Sequence, residues 1–250
     1  MTADQLAPLM RLPGVEDAVL AARAQVDRLL GERLLRRRSA EVSVESGLRC
    51  VRASAALDGH DVTLDLLRDG GAIEDPVVQG ALRVSTELGS LGPVLDRAPM
   101  QALARLHVLA ASGIAVRERL GRPRTSGEPS VAAVSQRLST LADVLTSPTA
   151  ASAVVVAAVV HGEVLALRPF DEANGVVARA AARLVLISRG VDPKAVTAPD
   201  VGHAADSSAY ADAAARFAAG DIGPWLLHCA GALAAGAQEG LAICAALERG

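Results

Sequence analysis

Apolar residues in this 250-residue chain recur at i, i+3 and i+4 in segment after segment, and no alternating run of β-branched residues bounded by turns interrupts them. That periodicity predicts an all-α protein, with helices over 14–34, 39–57, 75–91, 98–112, 130–146, 150–166, 175–189, 206–219 and 223–247. The breaks have local causes. Asp75-Pro76 supplies an N-cap followed by proline at the first helical position, and Pro99 starts a helix in the same way. Gly70-Gly71 ends a segment around Leu64 to Leu67, and Ser147-Pro148 is expected to cap the entry into the apolar helix over 150–166. Gly121 to Pro129 is the longest turn-rich segment and the expected exposed loop. No fixed-period repeat or low-complexity linker forces a domain cut. The weakest joint, near residues 70–75, separates an N-terminal helical region (1–70) from a larger one (71–250), and the two are expected to pack as one unit.

Composition excludes more than it identifies. The formal net charge is −3 and the pI about 6.0, so no global basic field points to nucleic acid or an anionic membrane. Arg33 and Arg36-Arg37-Arg38 form a basic cluster near a helix end, where the dipole is the ordinary explanation. Residues 150–160 are apolar, but His161 and Glu163 follow well short of the ~20 residues needed to cross a bilayer. The tail from Pro224 to Leu247 carries His228, Gln238 and Glu239, so no membrane partner is expected either. Met1 to Arg11 has no basic stretch followed by an apolar one, and a cytoplasmic location is expected. Cys50, Cys229 and Cys244 lack CxxC spacing and read as buried small hydrophobes. His60, His107, His203 and His228 stand isolated, without HxxxH or HExxH spacing, so no histidine metal site is predicted.

The chemistry concentrates in Leu167-Arg168-Pro169-Phe170-Asp171-Glu172-Ala173-Asn174-Gly175-Val176-Val177-Ala178-Arg179. This stretch lies between two predicted helices. The N-terminus of the second offers unpaired N–H groups and the positive end of the helix dipole, a ready anion site. Arg179 lies one turn into that helix and Arg183 one turn further on the same face. Glu172 is a carboxylate suited to holding Mg²⁺ against a bound polyphosphate. The plainer alternative is a polar helix-to-helix turn with solvated arginines.

The stretch resembles the signature loop of the Fic (Fido-fold) family, which reads His-Pro-Phe, one residue, Asp or Glu, Gly-Asn-Gly-Arg, two residues, Arg. The likeness extends upstream to His161 and Val164, and downstream through Leu184 and Leu186 to Arg189-Gly190. It continues into Tyr210-Ala211-Asp212-Ala213, Gly220-Asp221 and Trp225-Leu226, and so covers about residues 98–235. Ser54-Ala55-Ala56-Leu57-Asp58-Gly59 is similar to the inhibitory helix motif of autoinhibited Fic proteins, with Asp in place of Glu. The resemblance implies a Fic-fold helical domain with an N-terminal helical extension. It implies ATP with Mg²⁺ as ligands, and nucleotide or anion contacts from Arg168, Phe170, Asn174, Gly175 and Arg179. Ser54, Asp58 and Gly59 would form the inhibitory motif, with Asp58 paired to Arg179. Asp is one methylene shorter than Glu, which predicts a longer or water-bridged pair. The plainer reading of that motif is a helix C-terminus stopped by Gly59, with Asp58 solvated.

Three family positions are lost. Arg168 stands where the family has its catalytic His, Ala173 replaces the first loop glycine, and Val176 replaces the first loop arginine. The turn at Gly121-Arg122-Pro123-Arg124 resembles a further family stretch, but the apolar strand pattern of the target-docking flap does not follow it. A general base needs a pKa near the working pH. Deprotonating an arginine with an ordinary pKa of ~12.5 at pH 7 costs on the order of 7 kcal/mol. His161, seven helical residues earlier, is about 10 Å away at ~1.5 Å per residue, and reads as a satisfied core histidine. The expectation is therefore a Fic-fold protein without adenylyl transfer, acting as a nucleotide- or anion-binding module or as a partner for another protein. The alternative is a divergent enzyme that transfers AMP or another phosphate-containing group to a protein hydroxyl, with Asp171 or the target supplying the base. A third reading is an oligomeric scaffold assembled through the C-terminal helix, where Gly236 and Gly240 are spaced for close helix approach.

Overall fold

The structure, a computed structural model, describes residues 4–70 and 73–249. Gly71 and Ala72, at the joint foreseen near residues 70–75, lie outside the described residues, as do Met1 to Ala3 and Gly250. Among the described residues there is no strand, only an isolated bridge between Ser112 and Ala115. The fold is all-α. Its helices are α1 (Val15–Leu30), α2 (Ser39–Leu57), α3 (Leu64–Asp69), α4 (Pro76–Glu87), α5 (Gly92–Arg97) and α6 (Pro99–Ala111). They continue with α7 (Val131–Thr146), α8 (Ala153–Leu167), α9 (Asn174–Ser188), α10 (Pro199–Ala205), α11 (Ser207–Ala218) and α12 (Gly223–Arg249).

At the centre, α8 and α9 pack along one another, joined only by the loop 168–173. α8 is apolar nearly all round, Glu163 with its partner Arg137 excepted, and Val154, Val155, Val156, Val160, Val164 and Leu167 are all buried. Such a helix has no face to offer water and must be enclosed. α11 and α12 lie on it, while α2, α5 and α6 lie on α9. α12 is long and apolar enough by composition to span a bilayer, and here it packs against α1, α10, α11, α8 and α2. Trp225, at its start, donates from Nε1 to Ala158 O at 2.7 Å and fixes its height against α8.

Several boundaries differ from the sequence reading for identifiable reasons. The first helix stops at Leu30 and a separate 3₁₀ turn follows at Arg33–Arg36. The helix foreseen over 75–91 ends at Glu87, passes through a 3₁₀ turn and restarts as α5, where Pro93 has no N–H to carry one ladder through. Asp75 caps α4 as expected, accepting from Val77 N at 2.8 Å. Ser147 instead closes α7, its N–H bonding to Asp143 O. The cap of α8 is Ser152, whose hydroxyl accepts from Val154 N at 3.3 Å. The three cysteines are free and buried. α10, too short to register as a periodic segment, carries two residues that matter below, Asp200 and His203.

Gly236 and Gly240 are used inside the chain. Gly236 O accepts from Ala198 N at 3.0 Å, and a Cβ at position 236 would come within 2.5 Å of Pro199 N. A Cβ on Gly240 would meet Val196 O at 2.6 Å and the Leu29 side chain. This close approach lets α10 and its lead-in lie on α12. A Gly236→Ala substitution is therefore expected to lower stability by about 2–3 kcal/mol, the usual scale of overpacking. Urea unfolding checks this, and an unchanged midpoint would mean that α10 does not need the contact.

Candidate functional site

The loop between α8 and α9 is built from its ends inward. Arg168 (φ 43°) and Ala173 (φ 57°) both adopt left-handed backbone, which costs an L-residue about 1 kcal/mol each. Arg168 ends α8, its N–H bonding to Val164 O at 3.0 Å, and Ala173 precedes α9. Between them, Phe170 N–H donates to Asn174 Oδ1 at 3.0 Å and Asn174 Nδ2 donates to Phe170 O at 2.8 Å. Asn174 thus closes the loop on itself with both ends of its amide. The Phe170 ring is buried and stacks on the His107 imidazole from α6, with centroids 4.0 Å apart and planes 3° from parallel. His107 Nδ1 accepts from Gly121 N–H at 2.9 Å.

A buried arginine fixes the other side. Arg124 donates from Nε to Arg168 O at 2.9 Å and from its own backbone N–H to Pro169 O at 2.8 Å. It also bonds to the carbonyls of Ser126 and Pro129. The segment 121–129 is exposed as expected at six positions and half-buried at Gly121 and Pro129, but Arg124 is only 7% exposed. A cation on the last carbonyls of α8 also suits the negative end of that helix.

Arg179 lies one turn into α9 and is only 2% exposed. Its Nε donates to Ser54 Oγ at 2.8 Å, and its Nη2 donates to Ser54 O at 2.9 Å and to Asp58 Oδ2 at 2.8 Å. Nη1 reaches Tyr210 OH at 3.4 Å, and Asp200 Oδ1 lies 3.7 Å from Nε. Burial works against this charge, but Tyr210, Asp58 and Asp200 outweigh it and hold the guanidinium pKa above its ordinary value. Arg183, on the same face, lies 3.9 Å from Asp200 Oδ2. The Asp58–Arg179 pair is direct, not the longer or bridged contact expected for the shorter side chain. Gly175 supplies the reason, since a Cβ there would overlap both carboxylate oxygens of Asp58. Without it, the carboxylate settles directly on the first turn of α9, where that helix attracts an anion.

The remaining loop side chains face water. Asp171 accepts from Arg119 Nε at 2.6 Å. The exposed side chains of Arg168 and Glu172 make no hydrogen bond or ion pair among the described residues. Val176 is buried in the core. The fold thus brings Arg179, Gly175, Ser54 and Asp58 together. Phe170 and Asn174 are turned to building the loop, and Arg168 and Glu172 stand at its rim.

Sequence spacing concealed a second set of residues. His60 bonds Asp75 at 2.7 Å, and His107 lies under Phe170. His161 Nε2 lies 2.9 Å from Tyr210 OH, and His203 Nδ1 lies 3.1 Å from His228 Nε2. His161 also packs edge-on to Trp225, with centroids 4.8 Å apart. None of these histidines is isolated in space. Burial pushes His161 and His203 well below the usual histidine pKa, and pushes Tyr210 up to about 12. The usable signals were Pro199, which starts α10, and the i, i+3 spacing that sets Asp200 and His203 on one face. A cavity of about 250 Å³, lined by Leu6, Leu9, Leu141, Val159 and Phe217 among others, shares no residue with the loop.

No family model matches the sequence, and no curated protein matches it. Solved structures do. A Fic family protein from Desulfovibrio desulfuricans G20 superposes with a TM-score of 0.75 at 20% identity, over 90% of this chain and 74% of the other. Fic-1 from C. elegans (a fragment) gives 0.70 at 19% identity, over 92% of this chain and 72% of the other. A Fic domain containing signaling protein from Bacteroides thetaiotaomicron gives 0.63 at 15%, covering 92% and 98%. The chain therefore has the Fic fold.

Two measurements check the loop's construction. Ala173→Gly relieves left-handed strain without removing a side-chain bond, and is expected to stabilise the protein by about 1 kcal/mol against urea, whereas a loss would show that the Ala173 methyl packs usefully. For His107, burial lowers the pKa from 6.5 to about 4. The unfolded chain therefore takes up this proton first as pH falls, and stability drops between pH 6.5 and 4. The urea midpoint should decline over that window, and decline less in His107→Phe, which retains the stack on Phe170. Equal slopes would exclude His107 as the source.

Proposed function

We propose that this is a Fic-fold protein without adenylyl transfer, whose α8–α9 loop forms an anion or nucleotide pocket held closed by Asp58, and which acts as a ligand-responsive or protein-interaction module. One observation carries the reading: the Asp58 carboxylate sits against Gly175 at the start of α9 and bonds to Arg179, the place and partner a phosphate would take. A phosphate ligand has to displace it. Glu172, exposed and uncommitted, is the residue that would hold Mg²⁺ beside such a ligand. Magnesium would neutralise phosphate charge there, while Arg179 and the N–H groups of α9 would orient the anion.

Chemistry is what the loop lacks. Arg168 occupies the position of the family's general base, and a guanidinium cannot accept a proton near pH 7. Asp171, the nearest alternative base, already accepts from Arg119. Arg168 suits anion binding, since it adds a second guanidinium at the rim of the same loop.

Incubation with α-labelled ATP and Mg²⁺ is expected to leave no label on the chain or on added lysate protein, both for the parent and for Asp58→Ala. Labelling by either would overturn the non-catalytic reading. In the same preparations ATP–Mg should raise the melting temperature of Asp58→Ala by several degrees and that of the parent much less, because selective binding stabilises the native state. A flat response from both would remove the nucleotide from the proposal. Asp58→Ala alone should cost about 2 kcal/mol, since it leaves a buried guanidinium short of its counter-charge.

A further inference from the structure

Between α8, α10 and α12, His161, His203 and Cys229 converge, with one ligand atom from each within 4.8 Å of the others. Three helices supply them, so no motif spacing links them. Each imidazole has one nitrogen engaged elsewhere, His161 Nε2 with Tyr210 and His203 Nδ1 with His228. Each therefore retains a second nitrogen. An outer hydrogen bond that fixes ring orientation is the usual companion of a metal-ligating histidine.

A cavity of about 30 Å³ lies beside the three side chains, and Asp200 also lines it. It is large enough for a water molecule. Asp200 is 2% exposed, and its Oδ2 has no hydrogen-bond partner. A buried carboxylate oxygen short of a good donor requires an explanation, since its neighbours are the Cys50 thiol, a weak donor, and Arg183, 3.9 Å away and too distant for a hydrogen bond.

We propose that His161, His203 and Cys229 bind a zinc ion, with the fourth position held by a water in this cavity that donates to Asp200 Oδ2. Two imidazoles and a thiolate are donors suited to zinc and unsuited to magnesium or calcium. Zinc has no d-electron preference to resist an irregular site. Bond lengths of ~2.0 Å to nitrogen and ~2.3 Å to sulfur set ligand separations of ~3.4 Å, so atoms that lie within 4.8 Å of one another close by up to about 1.4 Å on binding. The ion displaces the Cys229 thiol proton, which leaves to solvent. The thiolate offsets one of the two positive charges, and Asp200, shared with Arg179 and Arg183, offsets part of the other. The site adjoins the machinery of the loop, since Arg179 lines the same cavity and Tyr210 contacts both His161 and Arg179.

The full chain, stripped with a chelator and dialysed, is titrated with zinc and separately with cobalt(II). About one zinc per chain should be retained, and the melting temperature should rise. Cobalt should show thiolate charge-transfer absorption and the intense visible bands of a four-coordinate ion. Cys229→Ser should abolish the charge-transfer band and weaken zinc binding by about tenfold or more, and His203→Gln should weaken it comparably, while Cys244→Ser should change neither. Retention far below one ion per chain with no rise in melting temperature would overturn the site. So would a charge-transfer band that survives Cys229→Ser. If Cys229→Ser does not fold in the metal-free state, His203→Gln carries the same test.

Discussion

The structure is organised around one buried charge. The Arg179 guanidinium is withdrawn almost entirely from water, and a lone cation there would cost several kcal/mol. Three helices besides its own address that cost: α2 with Ser54 and, at its C-terminal boundary, Asp58, α10 with Asp200, and α11 with Tyr210. Ser54 and Asp58 come from the N-terminal region, Asp200 and Tyr210 from the C-terminal one. The N-terminal region is thereby tied to the centre of the molecule through the same atoms that the proposed anion would meet.

This arrangement gives the α8–α9 loop its character. Strain at Arg168 and Ala173 is held in place by Asn174, by the Phe170–His107 stack and by the Arg124 clamp, so the first turn of α9 is presented in one geometry. A rigid helix N-terminus beside a buried arginine is a good anion site. In this chain the anion is built in, and it reaches its place because residue 175 has no side chain. Arg168 adds positive charge at the rim of the same loop.

Much of this was legible in the sequence, and the divisions are physical. Long periodic segments such as 39–57 and 130–146 state their helices through the spacing of apolar residues, and Asp75-Pro76 states a helix start through cap chemistry. The loop was legible because its residues are contiguous, and the Asp58–Arg179 partnership because a short motif preserves it. α10 was not legible: seven residues cannot establish a period, and its register depends on Gly236 accepting the backbone of Ala198. The gathering of His161, His203, His228 and Cys229 depends on how three helices cross, which no local pattern encodes. Arg124 was hidden for the opposite reason, since a polar turn-rich segment predicts exposure and gives no sign that one side chain turns inward to cap α8. Asp58 was legible as a partner but not in its distance, because that distance is set by Gly175 on another helix.

The central claim is that Asp58 occupies a site otherwise competent for a phosphate. Isothermal calorimetry of ATP–Mg against the parent and against Asp58→Asn tests it most directly, since Asn keeps the shape and removes the charge. The account predicts binding at least about tenfold tighter in Asp58→Asn, a difference of roughly 1.4 kcal/mol. Equal affinities, or binding by the parent alone, would contradict it.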